Sequence, residues 1–204
     1  GPLLVPILAW LIASWWKNKK EFNFRIGIGI TGGIVLALLF LMLAIVGAAS
    51  LLDLSYGGEP LVEVFLRQVG GTNLGEVVIE GLLRRITMPG TLLTLMIISA
   101  LGWGLLFSKK SGLPKRADSP DRGQESDFIL LLILAGMALV LFPEFLYLRD
   151  LFGYRINTIF KFYYQTWLMW SLVAAYILAT LGDLFKGSFR ILIYMVMLFA
   201  VLMG

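Results

Sequence analysis

The sequence has neither cysteine nor histidine. The absence of cysteine excludes disulfides, iron–sulfur ligation and thiolate nucleophiles. The absence of histidine excludes haem ligation of the usual kind, imidazole acid–base chemistry and histidine-containing metal sites. Carboxylates, tyrosine, lysine, arginine and amides must therefore carry any chemistry. The identity of a cofactor stays open, and the metal ions that fit such residues are Mg²⁺ or Mn²⁺ in an oxygen site.

Charge is also scarce in this chain. Charged residues make up 15% of it and apolar residues 59%, whereas ordinary soluble domains are about 25% charged. Several apolar segments approach the roughly 20 residues that cross a bilayer core. They cover residues 2–16, 24–48, 88–107, 128–142, 163–181 and 189–203. We therefore predict an all-α fold, a polytopic transmembrane helical bundle of about six spans, forming a single domain over residues 1–204.

Both ends of the sequence lie in apolar segments. The chain begins with Gly1 and Pro2 and stops at Gly204, directly after the last apolar run. Its first residues lack the charged region and cleavage site of a signal peptide. From this pattern we expect the chain to be a fragment of a longer protein.

Lysine and arginine are unevenly distributed over the predicted loops. The loops 17–25, 108–127 and 182–190 carry eleven of the 17, and the alternate loops carry the other six. The positive-inside rule assigns the richer set to the cytoplasm. The sequence thus predicts a multi-pass protein of the plasma membrane with an external 144–162 loop. The 108–127 loop, rich in proline, glycine, serine and charge, is predicted to be flexible.

The predicted external connection 51–87 has helical patterning. Pro60 can begin one helix with an apolar face, and a second follows the break at Gly70 and Gly71. We expect two amphipathic helices in the outer interface, either capping the bundle or lining a groove that lipid can enter.

A cluster of glycines lies in the second apolar segment, at Gly27, Gly29, Gly32 and Gly33. A phosphate-binding loop would end in lysine followed by serine or threonine, and this cluster does not. The glycines therefore predict a face where helices pack closely.

The densest group of polar and aromatic residues lies between Pro143 and Trp167. Charge at a membrane boundary is costly and usually has a function. The candidate catalytic residues are Glu144 and Asp150. The candidate substrate-binding residues are Arg155, Asn157, Lys161 and Tyr164.

These residue types suit an anionic substrate. On a helix, Asn157 and Lys161 share one face, and Arg155 with Lys161 could clamp a phosphate. Glu144 and Asp150 could act as a general base or hold a metal, although no metal site is assigned. Aromatic residues here could stack on sugar rings or anchor the interface. A plain external loop with mutually paired charges explains the same pattern.

The run RINTIFKFYYQTW, from Arg155 to Trp167, resembles the signature of the YYY or DUF2298 family of membrane proteins from Chloroflexi and archaea. The residues that match this signature are Pro143, Glu144, Asp150, Arg155, Asn157, Thr158, Phe160, Lys161, Phe162, Tyr163 and Trp167. The resemblance covers only the part of the chain from Pro143 to Trp167. The motif is fairly specific, because it is long and many of its positions match.

The resemblance implies a relation to GT-C glycosyltransferases, which are multi-span enzymes that take a sugar from a polyprenyl-phosphate donor on the external face. It implies that Arg155 and Lys161 hold the donor phosphate and that Asp150 or Glu144 binds a metal or the acceptor. GT-C enzymes usually carry their catalytic acid in the first external loop of a much longer chain. We expect this sequence to lack that region, so that it either holds only part of an active site or has lost the activity.

Two functions from different classes therefore stay open. The first is a transferase whose partners are membrane lipids and a polyprenyl-phosphate sugar. The alternative is a non-catalytic transmembrane subunit packed in a larger respiratory or photosynthetic complex. A transporter ranks third because the spans carry few charges and no evident repeat. Nothing in the sequence indicates a nucleic-acid partner.

Overall fold

The computed structural model describes residues 3–52, 55–56, 58–69, 73–87, 89–108, 122–145, 156–184, 191 and 194–195. Over these residues the fold is helical, as predicted, apart from one pair of two-residue strands. The elements are α1 (Leu4–Lys17), α2 (Phe24–Leu51), β1 (Ser55–Tyr56), β2 (Glu59–Pro60), α3 (Leu61–Val69), α4 (Leu74–Thr87), α5 (Gly90–Leu106), α6 (Arg122–Phe145) and α7 (Ile156–Leu184).

Five of the predicted apolar segments form the helices α1, α2, α5, α6 and α7. By length and composition, two stretches of the described residues could cross a membrane, Phe24–Leu51 and Glu125–Phe145. The helices α1 and α5 are apolar but shorter, with 14 and 17 residues. The 29-residue α7 begins with several polar and tyrosine residues that lower its hydropathy. The sixth predicted segment lies almost wholly outside the described residues, and the number of six spans stays a prediction.

The core of the bundle is formed by α1, α5, α6 and α7. The helix α6 packs between α5 and α7, and α1 contacts both α5 and α7. The side chains that this packing buries completely are large and apolar, and they stabilise the bundle through close van der Waals packing. They include Trp10 and Leu11 of α1, Ile98 of α5, Ile133 and Met137 of α6, and Val173 and Ile177 of α7.

The helix α2 lies at the side of this core and packs mainly on α5, with smaller contacts to α6 and α3. A Cβ added at Gly27 would meet the backbone of Ala100 and Gly104. One turn further along, the Thr31 hydroxyl donates a buried hydrogen bond of 2.9 Å to the Ser99 hydroxyl. Such hydrogen bonds between membrane helices contribute roughly 0.6 kcal/mol on average. The α2–α5 contact therefore includes a close backbone approach and one polar pair, beside apolar side chains of α2 that pack against the core.

The predicted glycine packing face is confirmed for Gly27 and stays a prediction for the other three glycines. A Cβ added at Gly29, Gly32 or Gly33 meets no atom of the described residues within 4 Å. Since successive residues turn by about 100° around a helix, these glycines point away from the line that Gly27 and Thr31 share. Four glycines close together in sequence therefore do not lie on one face.

The turn between α1 and α2 is held against the end of α5. The Ser108 hydroxyl donates a 2.9 Å hydrogen bond to the Glu21 carbonyl oxygen. The Asn23 N–H donates to the Gly104 carbonyl oxygen at 3.3 Å, and the Phe22 ring lies on Gly104. The predicted loops 17–25 and 108–127 thus begin at the same end of the bundle, as the charge distribution predicts. Residues 122–127 of the second loop are helical, and its residues 109–121 lie outside the described part of the chain.

The connection 51–87 contains the two predicted helices, α3 and α4. Before α3, Ser55–Tyr56 pairs with Glu59–Pro60 in an antiparallel register. Gly58 turns the chain there with φ of +86°, a conformation that favours glycine. Arg67 of α3 pairs with Glu59 at 3.3 Å, and both side chains are more than half exposed, so this pair stabilises the fold little. The placement of both helices in an outer interface stays a prediction.

Candidate functional site

The helices α6 and α7 are antiparallel and pack closely along their length. The ring of Phe142 meets the edge of Phe162 with centroids 5.6 Å apart. About one turn further along α7, the Thr166 hydroxyl donates a buried hydrogen bond of 3.1 Å to the Gly136 carbonyl oxygen of α6. From the first contact to the second, residue numbers decrease along α6 and increase along α7, as they do in antiparallel helices. The contacts thus place the last turn of α6 level with the first turns of α7.

A glycine allows the two helices to approach this closely. The indole of Trp170 lies directly on Gly136, where any Cβ would collide with it. The Trp170 indole N–H donates to the Ile133 carbonyl oxygen at 3.3 Å. The indole is buried, so its N–H needs a partner inside the protein. Gly136 and Trp170 therefore hold the register of α6 and α7 below the polar segment.

The polar segment is more helical than predicted. The sequence predicts a loop over 144–162, but α6 continues to Phe145 and α7 begins at Ile156. Pro143 lies inside α6, and Phe145 after it is buried. Burial of Phe145 favours the continuation of α6 past the limit that hydropathy alone indicates. Residues 156–162 thus form the first two turns of α7.

The structure places three of the six candidate residues with their side chains. Glu144 lies in the last turn of α6 and is partly buried, and Lys161 and Tyr164 lie on α7 and are exposed. The backbone of Asn157 is helical, so the predicted i,i+4 relation to Lys161 holds for the backbone. The side chain of Asn157, and all of Asp150 and Arg155, lie outside the described residues. The register of α6 and α7 thus brings Glu144 and Lys161 to the same end of the helix pair.

The first turns of α7 also carry a stack of three exposed aromatic rings, which we call the aromatic ladder: Phe160, Tyr164 and Trp167. The centroids of Phe160 and Tyr164 are 6.4 Å apart at an interplanar angle of 20°. Those of Tyr164 and Trp167 are 6.5 Å apart at 28°. The three side chains are 69%, 52% and 60% exposed. Sequence reasoning missed the ladder as a unit, although the spacing i, i+4, i+7 contains it.

The surface of α7 therefore changes from polar to apolar along its length. Lys161 stands on the same turn as Phe160 and Tyr164, and the exposed Leu168 and Leu172 continue the strip beyond the ladder. A cation followed by flat rings and then aliphatic side chains matches a ligand with an anionic head and a long apolar tail. The described helices of the bundle leave the side chains of this strip exposed.

A metal site is not apparent among the described residues. They contain no group of three or more Asp, Glu, His or Cys side chains that could hold an ion. Glu144 is the one candidate carboxylate within them, and Asp150 lies outside. A Mg²⁺ or Mn²⁺ ion would therefore need Asp150 and further ligands from residues beyond the described part of the chain.

A comparison with protein families gives one match. The model of the family described as "Uncharacterized membrane protein (DUF2298)" matches residues 1–170 of the 204. The matched range runs from before α1 into α7 and includes the polar segment and the aromatic ladder. The searches of curated proteins and of solved structures found no match.

Proposed function

This chain belongs to the DUF2298 family of membrane proteins, and from that premise we propose that it is a transferase that takes a sugar from a polyprenyl-phosphate donor. The proposal places the reaction at the external face of the plasma membrane, in a bundle of about six spans. One observation carries it: the exposed cation Lys161 stands beside the aromatic ladder at the start of α7.

The phosphate of the donor binds at Lys161. The ammonium group is exposed at the polar end of the α6–α7 pair, where it can reach a headgroup at the membrane surface. Arg155 comes shortly before it in sequence and adds a guanidinium that can grip a phosphate through two parallel hydrogen bonds. Asn157, one helical turn before Lys161, supplies an amide for the remaining phosphate oxygen or the sugar.

The polyprenyl chain lies along the aromatic ladder. Seven residues separate Phe160 from Trp167, which is about 10 Å along a helix axis. An isoprenoid chain that starts at Lys161 would pass Tyr164 and Trp167 and continue over Leu168 and Leu172, all of which are exposed. The flat rings then bind the unsaturated chain by apolar contact, and surrounding lipid covers the rest of it.

The sugar projects from the phosphate toward Glu144 and Asp150. One of these carboxylates takes the proton of the acceptor hydroxyl as the acceptor oxygen bonds to the anomeric carbon. The bond between that carbon and the phosphate oxygen breaks, and the polyprenyl phosphate leaves with the electron pair. Lys161 and Arg155 stabilise the negative charge that develops on the leaving phosphate.

Binding of the donor lipid tests the aromatic ladder. Tyr164→Ala and Trp167→Ala are each expected to weaken the binding of polyprenyl phosphate to the purified protein about tenfold, since each variant loses roughly 1–1.5 kcal/mol of ring contact. Titration followed by native mass spectrometry measures the dissociation constants. Phe128→Ala is the matched control, because Phe128 is 60% exposed but lies at the other end of the α6–α7 pair. If both ladder variants bind polyprenyl phosphate as tightly as the wild type, or if the control loses as much affinity as they do, the ladder is not part of the binding site.

The alternative, a non-catalytic subunit in a larger membrane complex, is favoured by a different observation. Of the 28 residues of α2, all of which the structure describes, three are buried: Gly27, Thr31 and Ala49. The outward face of α2 is therefore open to a partner helix as well as to lipid. Co-purification with another membrane protein in fixed stoichiometry, together with no transfer activity, would select this function over the transferase.

A further inference from the structure

The turn between α1 and α2 is strongly basic. We call residues 16–21 the basic turn; it carries Lys17, Lys19 and Lys20, and Arg25 follows in the first turn of α2. Glu21 is the single carboxylate of this stretch. All four cationic side chains are exposed. Such a cluster at the end of a membrane helix attracts anionic phospholipids, and each cation near the surface strengthens binding about fivefold.

The basic turn is rigid. The Glu21 and Phe22 N–H groups both donate to the Asn18 carbonyl oxygen at 2.9 Å. The Ser108 hydroxyl then ties the Glu21 carbonyl oxygen to the end of α5 at 2.9 Å. The lysines are therefore presented from a backbone held by hydrogen bonds, which lowers the conformational entropy that the protein loses when a ligand binds.

Two tryptophans position one of the lysines. The Lys19 ammonium lies 5.8 Å from the centroid of a Trp15 ring and 5.3 Å from that of a Trp16 ring. The two indoles meet edge to face at 82°. Both distances fall within the range of cation–π attraction. Trp16 is itself well exposed, as is usual for tryptophan at the level of lipid headgroups.

The basic turn also borders a surface depression that can receive a headgroup. This depression is open to solvent, has a volume of about 640 Å³ and is lined by Trp16, Lys17, Asn18, Lys19, Lys20 and Glu21. Beside it, Ile12 of α1 and Phe24 and Ile28 of α2 are exposed and lie where acyl chains would run. We propose that the basic turn binds the phosphate headgroup of an anionic phospholipid.

This lipid site is separate from the transferase site. The predicted topology places the basic turn on the cytoplasmic face and Lys161 on the external face, so failure of one proposal leaves the other standing. Free phosphate shares the chemistry of the headgroup. The exposed apolar side chains next to the depression favour a lipid as the source, since inorganic phosphate would gain nothing from them.

Native mass spectrometry of the whole chain tests the site. The protein is equilibrated with an equimolar mixture of phosphatidylglycerol and phosphatidylcholine, and the bound lipids are counted. The wild type is expected to retain phosphatidylglycerol preferentially. The double variant Lys19→Gln/Lys20→Gln is expected to bind it roughly 25-fold more weakly, because about fivefold is lost for each cation. Arg67→Gln is the control, because Arg67 is also an exposed cation but lies in α3.

Each outcome decides the question. Equal retention of phosphatidylglycerol by the wild type and the double variant would overturn the site, and so would an equal loss in the Arg67 control. Inorganic phosphate added at millimolar concentration is expected to leave the bound phosphatidylglycerol in place. Its complete displacement by phosphate would assign the depression to the free anion.

Discussion

Replacement of Lys161 by alanine is expected to lower kcat/KM for sugar transfer about a hundredfold or more. The proposed site uses the Lys161 ammonium to stabilise the charge that develops on the departing phosphate, and removal of one such group typically costs a factor of 10² to 10³. Arg155→Ala and Asp150→Asn are expected to abolish transfer as well. The measurement is transfer of a labelled sugar from polyprenyl phosphate by protein in liposomes.

The matched control for this substitution is Gln165→Ala. Gln165 is exposed one helical turn after Lys161 on α7, so the substitution disturbs the same surface without removing charge. Lys161→Arg keeps the positive charge and is expected to retain more activity than Lys161→Ala, though less than the wild type because the geometry differs. Normal transfer by Lys161→Ala, Arg155→Ala and Asp150→Asn together would exclude the assigned site.

Substitution of Gly27 by alanine is expected to destabilise the bundle by about 1–3 kcal/mol, the usual effect of overpacking a tight contact. The added Cβ meets the carbonyl oxygen of Ala100 and the backbone of Gly104, and backbone cannot give way as the end of a side chain can. Separation of α2 from α5 would also stretch the Thr31–Ser99 hydrogen bond. Unfolding of the purified protein in detergent, followed by tryptophan fluorescence, measures this loss.

The chain provides its own controls for the Gly27 experiment. Gly29→Ala and Gly33→Ala place the same methyl group on the same helix, where no atom of the part of the chain that the structure describes lies within 4 Å. Alanine has the higher helix propensity, so these variants are expected to be as stable as the wild type or slightly more stable. If all three variants lose the same stability, the contact between α2 and α5 does not run through Gly27.

Much of the helical architecture follows from hydrophobic patterning. The apolar runs that predict spans become α1, α2, α5, α6 and α7, because apolar residues in a helix satisfy their backbone hydrogen bonds internally. The packing between these helices does not follow in the same way. Thr31 and Ser99 are 68 residues apart, and Ser108 and Glu21 are 87 apart. The sequence around each of these residues does not identify the distant residue that it contacts.

The sequence predicts which residues form the candidate site better than it predicts the shape of the segment that carries them. The polar residues and the DUF2298 motif identify the segment, and the family match confirms the family. The sequence predicts a loop over 144–162 because charged residues interrupt the apolar run there. In the structure, α7 already begins at Ile156. The aromatic ladder depends on this early start, since Phe160, Tyr164 and Trp167 align only on a continuous helix.

Photo-crosslinking with a polyprenyl phosphate that carries a photoreactive group in its isoprenoid chain tests the central claim most directly. The wild-type protein in liposomes is labelled, digested and mapped by mass spectrometry. The proposed site predicts that the label falls on α7 between residues 156 and 172 and that unlabelled polyprenyl phosphate competes it away. Labelling confined to other helices, such as the exposed face of α2, or labelling that the unlabelled lipid does not reduce, would contradict the account.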